Sequence, residues 1–205
     1  RLATPSVISF TGEPEWLPAL YRHGITHLNL ANNHSIDQGR NGLLDTQEQI
    51  RKAGMVPLGA GRNMEEAARP VLISARPRPV WVVTSLRLPL ENFPYLPQKP
   101  SVSQESADSL VMRVARLRRA DRHCVILVLL HWGWEHHLRA LPGQREEAHR
   151  LIDAGADAIL LQDFGAVRLA KQIVPQLPIH ASTQMTVHNL AGVQALEELG
   201  FSRVV

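Results

Sequence analysis

Four times along the chain an aliphatic residue is followed by three residues and then a glycine: Leu20–Gly24, Ile50–Gly54, Leu151–Gly155 and Leu196–Gly200. A helical period of apolar positions precedes each glycine, and a short apolar run follows it: ITHLNLA, MVPLGAG, ADAILLQ and FSRVV. Glycine accepts the left-handed turn that closes a helix, so each repeat predicts a helix delivered into a strand. CVILVLLHW and PIHAST add two further strands. The periodicity places helices over 13–22, 41–53, 64–68, 106–119, 143–154, 167–174 and 190–199. Helices alternating with buried strands predict an α/β fold, a mainly parallel sheet flanked by helices. VLISA and VWVVTSL flank Pro77–Pro79 and predict an antiparallel excursion. Residues 87–105 carry four prolines and few periodic apolar positions, which predicts a long irregular loop.

Composition narrows the class. With 205 residues the chain can form one large domain or two small ones. Its 44% hydrophobic and 20% charged residues exclude disordered and collagen-like chains. No apolar run is long enough to span a membrane. The net charge of +3 sets 22 basic residues against 19 acidic ones, and the one dense basic run, RVARLRRADR, falls on a helical pattern. That run reads as a solvated helix face in preference to a phosphate-binding patch, so nucleic acid is not indicated. The single cysteine, Cys124, stands in the apolar run CVILVLL and is expected to pack as a small hydrophobe.

Polar residues gather where the apolar runs end. ITHLNLA leads into Asn32, Asn33, His34, Ser35 and Asp37; CVILVLL leads into His131, Trp132, Gly133 and Glu135. ADAILL leads into Gln162 and Asp163, and PIHAST into Gln184. Ligands of α/β folds bind beyond the carboxyl ends of strands. An Asn amide oxygen can ligate a cation, and an adjacent imidazole can ligate or transfer a proton. The same residues also suit an Asx turn closing a strand-to-helix loop, and both readings of Asn33–His34 stay open at this level. His131 is likewise either a ligand or a packed histidine.

NLANNHSIDQGRNGLLDTQEQIRKAGMVPLGAGRNMEEAARPV, followed by VILVLLHWGWEHHLRALPGQREEAHRLIDAGAD, resembles the bacterial CapA family of capsule and poly-γ-glutamate biosynthesis over about residues 10–157. The resemblance implies a calcineurin-like metallophosphatase fold. It implies that Asn33 and His131 ligate a divalent metal (Mn, Zn or Fe), and that His34, with Asp37, steadies a leaving oxygen. Two of that family's ligand sets, early acidic residues and a Gly-His-His-Pro-His turn after LIDAGAD, have no counterpart here. The expectation is therefore an incomplete site with weak metal affinity and little turnover.

The tail, QDFGAVRLAKQIVPQLPIHASTQMTVHNLAGVQALEELGFSRVV, resembles the U32 peptidase family over about residues 154–205. That resemblance implies a peptidase or a protein associated with RNA or quinone hydroxylation. His180 and Gln184 fall in its IHASTQM run. The chain then divides into a CapA-like segment at 1–157 and a U32-like βαβ segment at 158–205 packed on the same sheet, a chimera joined at a shared helix–strand boundary. The strand at 156–161 is expected to lie parallel to that at 125–130.

Three functions remain: a CapA-like protein with a partial phosphoesterase-type site, a U32-like enzyme, and a non-catalytic scaffold. Asn32, Glu135, His180 and Gln184 are the expected substrate contacts. The expected partner is a small-molecule or polymer substrate, with oligomeric state open. The CapA-like reading implies the cell envelope and the U32-like reading the cytoplasm.

Overall fold

A computed structural model describes residues 9–91, 93–133, 141–160, 180–181, 190–198, 201 and 203–204. After a 3-10 turn at Pro14–Trp16 come α1 (Leu17–Arg22), β1 (His27–Asn29), α2 (Gly39–Lys52), β2 (Val56–Leu58), β3 (Ala60–Gly61) and α3 (Met64–Ala67). They are followed by β4 (Val71–Ser74), β5 (Val80–Leu86), β6 (Ser101–Val102), α4 (Ala107–Ala120), β7 (Val125–His131), α5 (Pro142–Asp153) and β8 (Ala158–Leu160). The described elements end with β9 (His180–Ala181), a helix at Leu190–Glu198, here α6, and β10 (Arg203–Val204). The helix predicted at 167–174 lies outside the described residues. No described helix is long and apolar enough to cross a membrane.

The fourfold glycine pattern closes helices as its spacing predicts. Ile25, Met55, Ala156 and Phe201 each donate a backbone N–H to the carbonyl of Leu20, Ile50, Leu151 and Leu196 at 3.0–3.2 Å. This bond ties the residue after the glycine to the last turn of the helix. Other ends have side-chain caps. Asn63 Oδ1 accepts from Glu66 N at the start of α3, and Ser106 Oγ accepts from Ser109 N at the start of α4.

The chain forms two compact units, residues 1–69 with 84–104 and residues 70–83 with 105–205. In the first, β1 pairs with β2 in parallel and β3 with β6 antiparallel. Its core is Ile36, Leu43, Ala60, Leu86, Leu90 and Val102. On α2 the buried residues are Leu43, Gln47 and Ile50, one face at helical spacing. In the second unit a four-stranded sheet runs in the order β4-β5-β7-β8. β4 and β5 are antiparallel, and β7 and β8 are parallel, joined by α5, as expected. The strand β7 alternates strictly, burying Ile126, Val128 and Leu130 with Leu110 and Val114 of α4. Cys124 is fully buried in this core, as its apolar setting predicts, and burial pushes its thiol pKa up. β9 and β10 pair in parallel with each other.

Three details depart from the pattern reading. The run MVPLGAG is two strands, because Gly59 turns at a φ of +71° between β2 and β3. Residues 87–105 are not wholly irregular: β6 lies within them, made by pairing with β3 and not by any local period. The first helix begins as a 3-10 turn at Pro14, where proline suits the first helical positions.

Candidate functional site

The best-formed polar site in the first unit is the loop from β1 to α2. Its seat is Asn29, whose Oδ1 accepts from Ala31 N at 3.0 Å and from Thr84 Oγ1 at 2.8 Å. Gly59 makes this approach possible: a Cβ there would lie 2.7 Å from the Ala31 Cβ and 3.0 Å from Asn29 Oδ1. Asn32 then closes an Asx turn, its Oδ1 accepting from His34 N at 3.0 Å. Asp37 N bonds back to His34 O. The Asx turn, one of two readings of Asn33–His34, is made one residue earlier, by the Asn32 oxygen.

The turn aims two side chains at each other. His34 Nδ1 lies 3.0 Å from Asp37 Oδ2, and the Asp37 side chain is 1% exposed against 29% for His34. The same carboxylate oxygen accepts Phe10 N–H at 2.9 Å. An ionised carboxylate only accepts, so this contact holds the proton on Nδ1 and presents Nε2 as the chemically available nitrogen. Among the described residues nothing bonds Nε2. Phe10 meets the imidazole edge to face, with ring centres 4.8 Å apart at 89°.

Asn33 faces the proline-rich loop. Its Nδ2 donates to Glu91 Oε2 at 3.4 Å, and its carbonyl accepts from Glu91 N at 3.2 Å. Arg40, on the first turn of α2, fastens the same loop by donating to the carbonyls of Pro94 and Pro100 at 2.7 and 2.6 Å. Glu91, Phe10 and Arg40 were not legible as site residues. Glu91 and Phe10 stand in stretches without a period, far along the chain from the loop they touch. Asn29 did leave a signal: it is the one amide side chain in the strand run ITHLNLA, set between Leu28 and Leu30.

His131 ends β7 in the second unit, and His180 opens β9. Glu135 and Gln184 lie outside the described residues. The described donors do not fit a metal by themselves. His34 Nδ1 and Asp37 are engaged with each other, and no three His, Cys, Asp or Glu side chains gather among the described residues.

Comparison with known proteins places this loop within a family match. The description "Bacterial capsule synthesis protein PGA_cap" matches residues 1–162. The capsule biosynthesis protein CapA of Bacillus anthracis is 27% identical over 155 residues, 75% of this chain and 38% of that protein. A tRNA hydroxylation protein P from Helicobacter pylori is 38% identical over 60 residues, 29% of this chain and 14% of that protein. A solved 2,3-dimethylmalate lyase overlaps 93% of this chain and 57% of its own at 12% identity, with a TM-score of 0.42. The chain spans about two fifths of the length of the CapA relative it matches.

Proposed function

Because the chain belongs to the bacterial capsule synthesis family PGA_cap, which matches it over residues 1–162, we propose that it serves the making of a poly-γ-glutamate capsule at the cell envelope. The loop from Asn32 to Asp37 is then its chemical site. The observation that carries this reading is the His34–Asp37 pair, a buried carboxylate orienting a half-exposed imidazole inside the family-matched span.

In this reading His34 is the proton-handling group. Asp37 holds Nδ1–H, so the second proton of the imidazolium form sits on Nε2 and can pass to an oxygen whose bond to phosphorus or carbon breaks as water takes its place there; the electron pair of that bond stays on the oxygen and the ring returns to neutral. Asp37 steadies the charged imidazole, as carboxylates do in His-containing triads. The divalent metal that the resemblance implies would need donors beyond the described set, and the isolated chain is expected to turn over an aryl phosphate slowly.

The test is made in a capsule-forming bacillus that lacks its own CapA and carries a gene in which this segment replaces the resident one. Wild-type segment restores surface poly-γ-glutamate; His34→Ala and Asp37→Asn reduce it. Undiminished polymer from His34→Ala would remove the loop from the chemistry.

A second reading rests on the 60-residue match to tRNA hydroxylation protein P. It assigns residues 158–205 to a U32-like βαβ segment, with a part in hydroxylation chemistry on RNA. Crosslinking of the purified chain to tRNA, with none to a capsule polymer, would favour it.

A further inference from the structure

Residues 9 and 10 lie across the His34–Asp37 pair and are held there by four separate contacts. Phe10 N–H donates to Asp37 Oδ2 at 2.9 Å. Gln38 Nε2 donates to Ser9 Oγ at 2.9 Å and to Phe10 O at 3.1 Å. The Phe10 ring stands at right angles to the imidazole. Burial alone does not account for this arrangement, since Phe10 is 61% exposed and takes no part in the first unit's core. A phenyl ring left so far in water gains little by area, yet both its backbone and its ring are directed at one histidine and that histidine's carboxylate.

We infer that Phe10 is a positioning residue for His34. The ring limits rotation of the imidazole about its Cβ–Cγ bond, and the backbone N–H fills a lone-pair direction of Asp37 that would otherwise take water. The carboxylate oxygen then has one geometry in which it accepts both from Phe10 N–H and from Nδ1, and Nε2 points in one direction. Gln38, one residue beyond Asp37, grips the strap from the other side, so the loop and the segment that covers it are fixed together. A substrate oxygen reaching Nε2 would pass beside the exposed part of the phenyl ring, which places an apolar surface next to the transferred proton.

This inference rests on the reading of His34 as the proton-handling group, but its test does not use activity. The probe is the imidazole of the chain itself, observed by proton–nitrogen NMR at constant pH. In the wild type, the His34 ring C–H resonances should be displaced by the neighbouring ring current, and the Nδ1–H signal should exchange slowly with water. Phe10→Leu keeps bulk and backbone; it should abolish the displacement and speed Nδ1–H exchange severalfold. Phe10→Tyr should restore both. If Phe10→Leu fails to fold, Gln38→Ala releases the strap without touching either ring and should speed exchange in the same direction. Ring resonances and exchange unchanged in Phe10→Leu or in Gln38→Ala would overturn the inference. Loss of capsule in His34→Ala is a separate outcome: it decides the chemistry of the loop, whereas the NMR signature decides the role of Phe10.

Discussion

Two polar clusters, one in each unit, are built from similar groups and end differently. Around His34 and Asp37, a buried carboxylate is paired on one side with an imidazole and on another with a backbone N–H, and one ring nitrogen is left without a bond among the described residues. Around Arg118, every direction of the guanidinium is used internally. It donates to Gly155 O at 2.8 Å, Cys124 O at 2.7 Å and Arg122 O at 2.9 Å, and pairs with Asp157, whose Oδ2 also accepts Ile126 N at 2.8 Å. The second cluster stitches the end of α4 to the turn between α5 and β8 and to the start of β7. Polar density at strand ends is thus not by itself a sign of chemistry. What distinguishes the loop of the first unit is a titratable atom that the fold orients and does not consume.

The contrast gives an ordered set of expected losses. Arg118→Met should cost the most stability, about 3–4 kcal/mol, because several carbonyls and the Asp157 carboxylate lose their donor together; urea unfolding followed by tryptophan fluorescence measures it. Capsule chemistry in the segment-swap strain should persist at temperatures where the variant stays folded, and its loss there would break the comparison. Gly59→Ala should cost about 2–3 kcal/mol, since a left-handed residue gains a Cβ where Ala31 and Thr84 already stand. Asp37→Asn should cost about 1–2 kcal/mol, because the oxygen that accepts from both Phe10 N–H and His34 Nδ1 belongs to the group changed in kind. An amide can donate to Nδ1, however, which moves the imidazole proton to Nε2. Nitrogen-15 shifts of the ring would show the exchange of tautomer, and an unaltered tautomer would mean that Asp37 does not orient His34.

The smallest effect concerns pH. Burial raises the Cys124 thiol pKa in the folded chain above its unfolded value. The folded state therefore holds its proton longer, and stability is full below the unfolded thiol range, about 8.5, and declines as pH rises from there through the folded pKa. Subtracting the stability–pH curve of Cys124→Ala from that of the wild type should leave a downward slope above that range. A flat difference would show that the thiol does not sense its burial.

Local signals carried much of the fold. Helix ends were legible because aliphatic-x-x-x-Gly encodes a hydrogen bond between residues five apart, as Leu151 and Ala156 show. The β4–β5 pair was legible because two β-rich runs flank a turn, and the β7-α5-β8 unit because a helix of that length returns a parallel strand. The pairing of β6 with β3 was hidden, since two residues among prolines have no period to read. At the site, His34 and Asp37 were readable because one loop carries both. Phe10 and Glu91 were not: their contacts depend on backbone groups and on chain return over 27 and 58 positions. Arg118 was read only as part of a solvated basic face, whereas its head turns inward to carbonyls and its stem covers Gly155.

The interleaving of the two units sets a timetable for synthesis. The first unit cannot complete its core until Val102 has emerged, yet by then β4 and the first half of β5, part of the second, are already outside the ribosome. Their partner β7 is not finished until His131. At about 5–20 residues per second, the interval from Val102 to His131 lasts on the order of seconds, far longer than the roughly 1–10 μs in which a hairpin forms. The antiparallel pairing of β4 with β5 fills that interval. A sequence neighbour covers one edge of β5 while the other stays open for β7, so the nascent chain presents a paired ribbon with a single open side of β5 until the distant strand arrives.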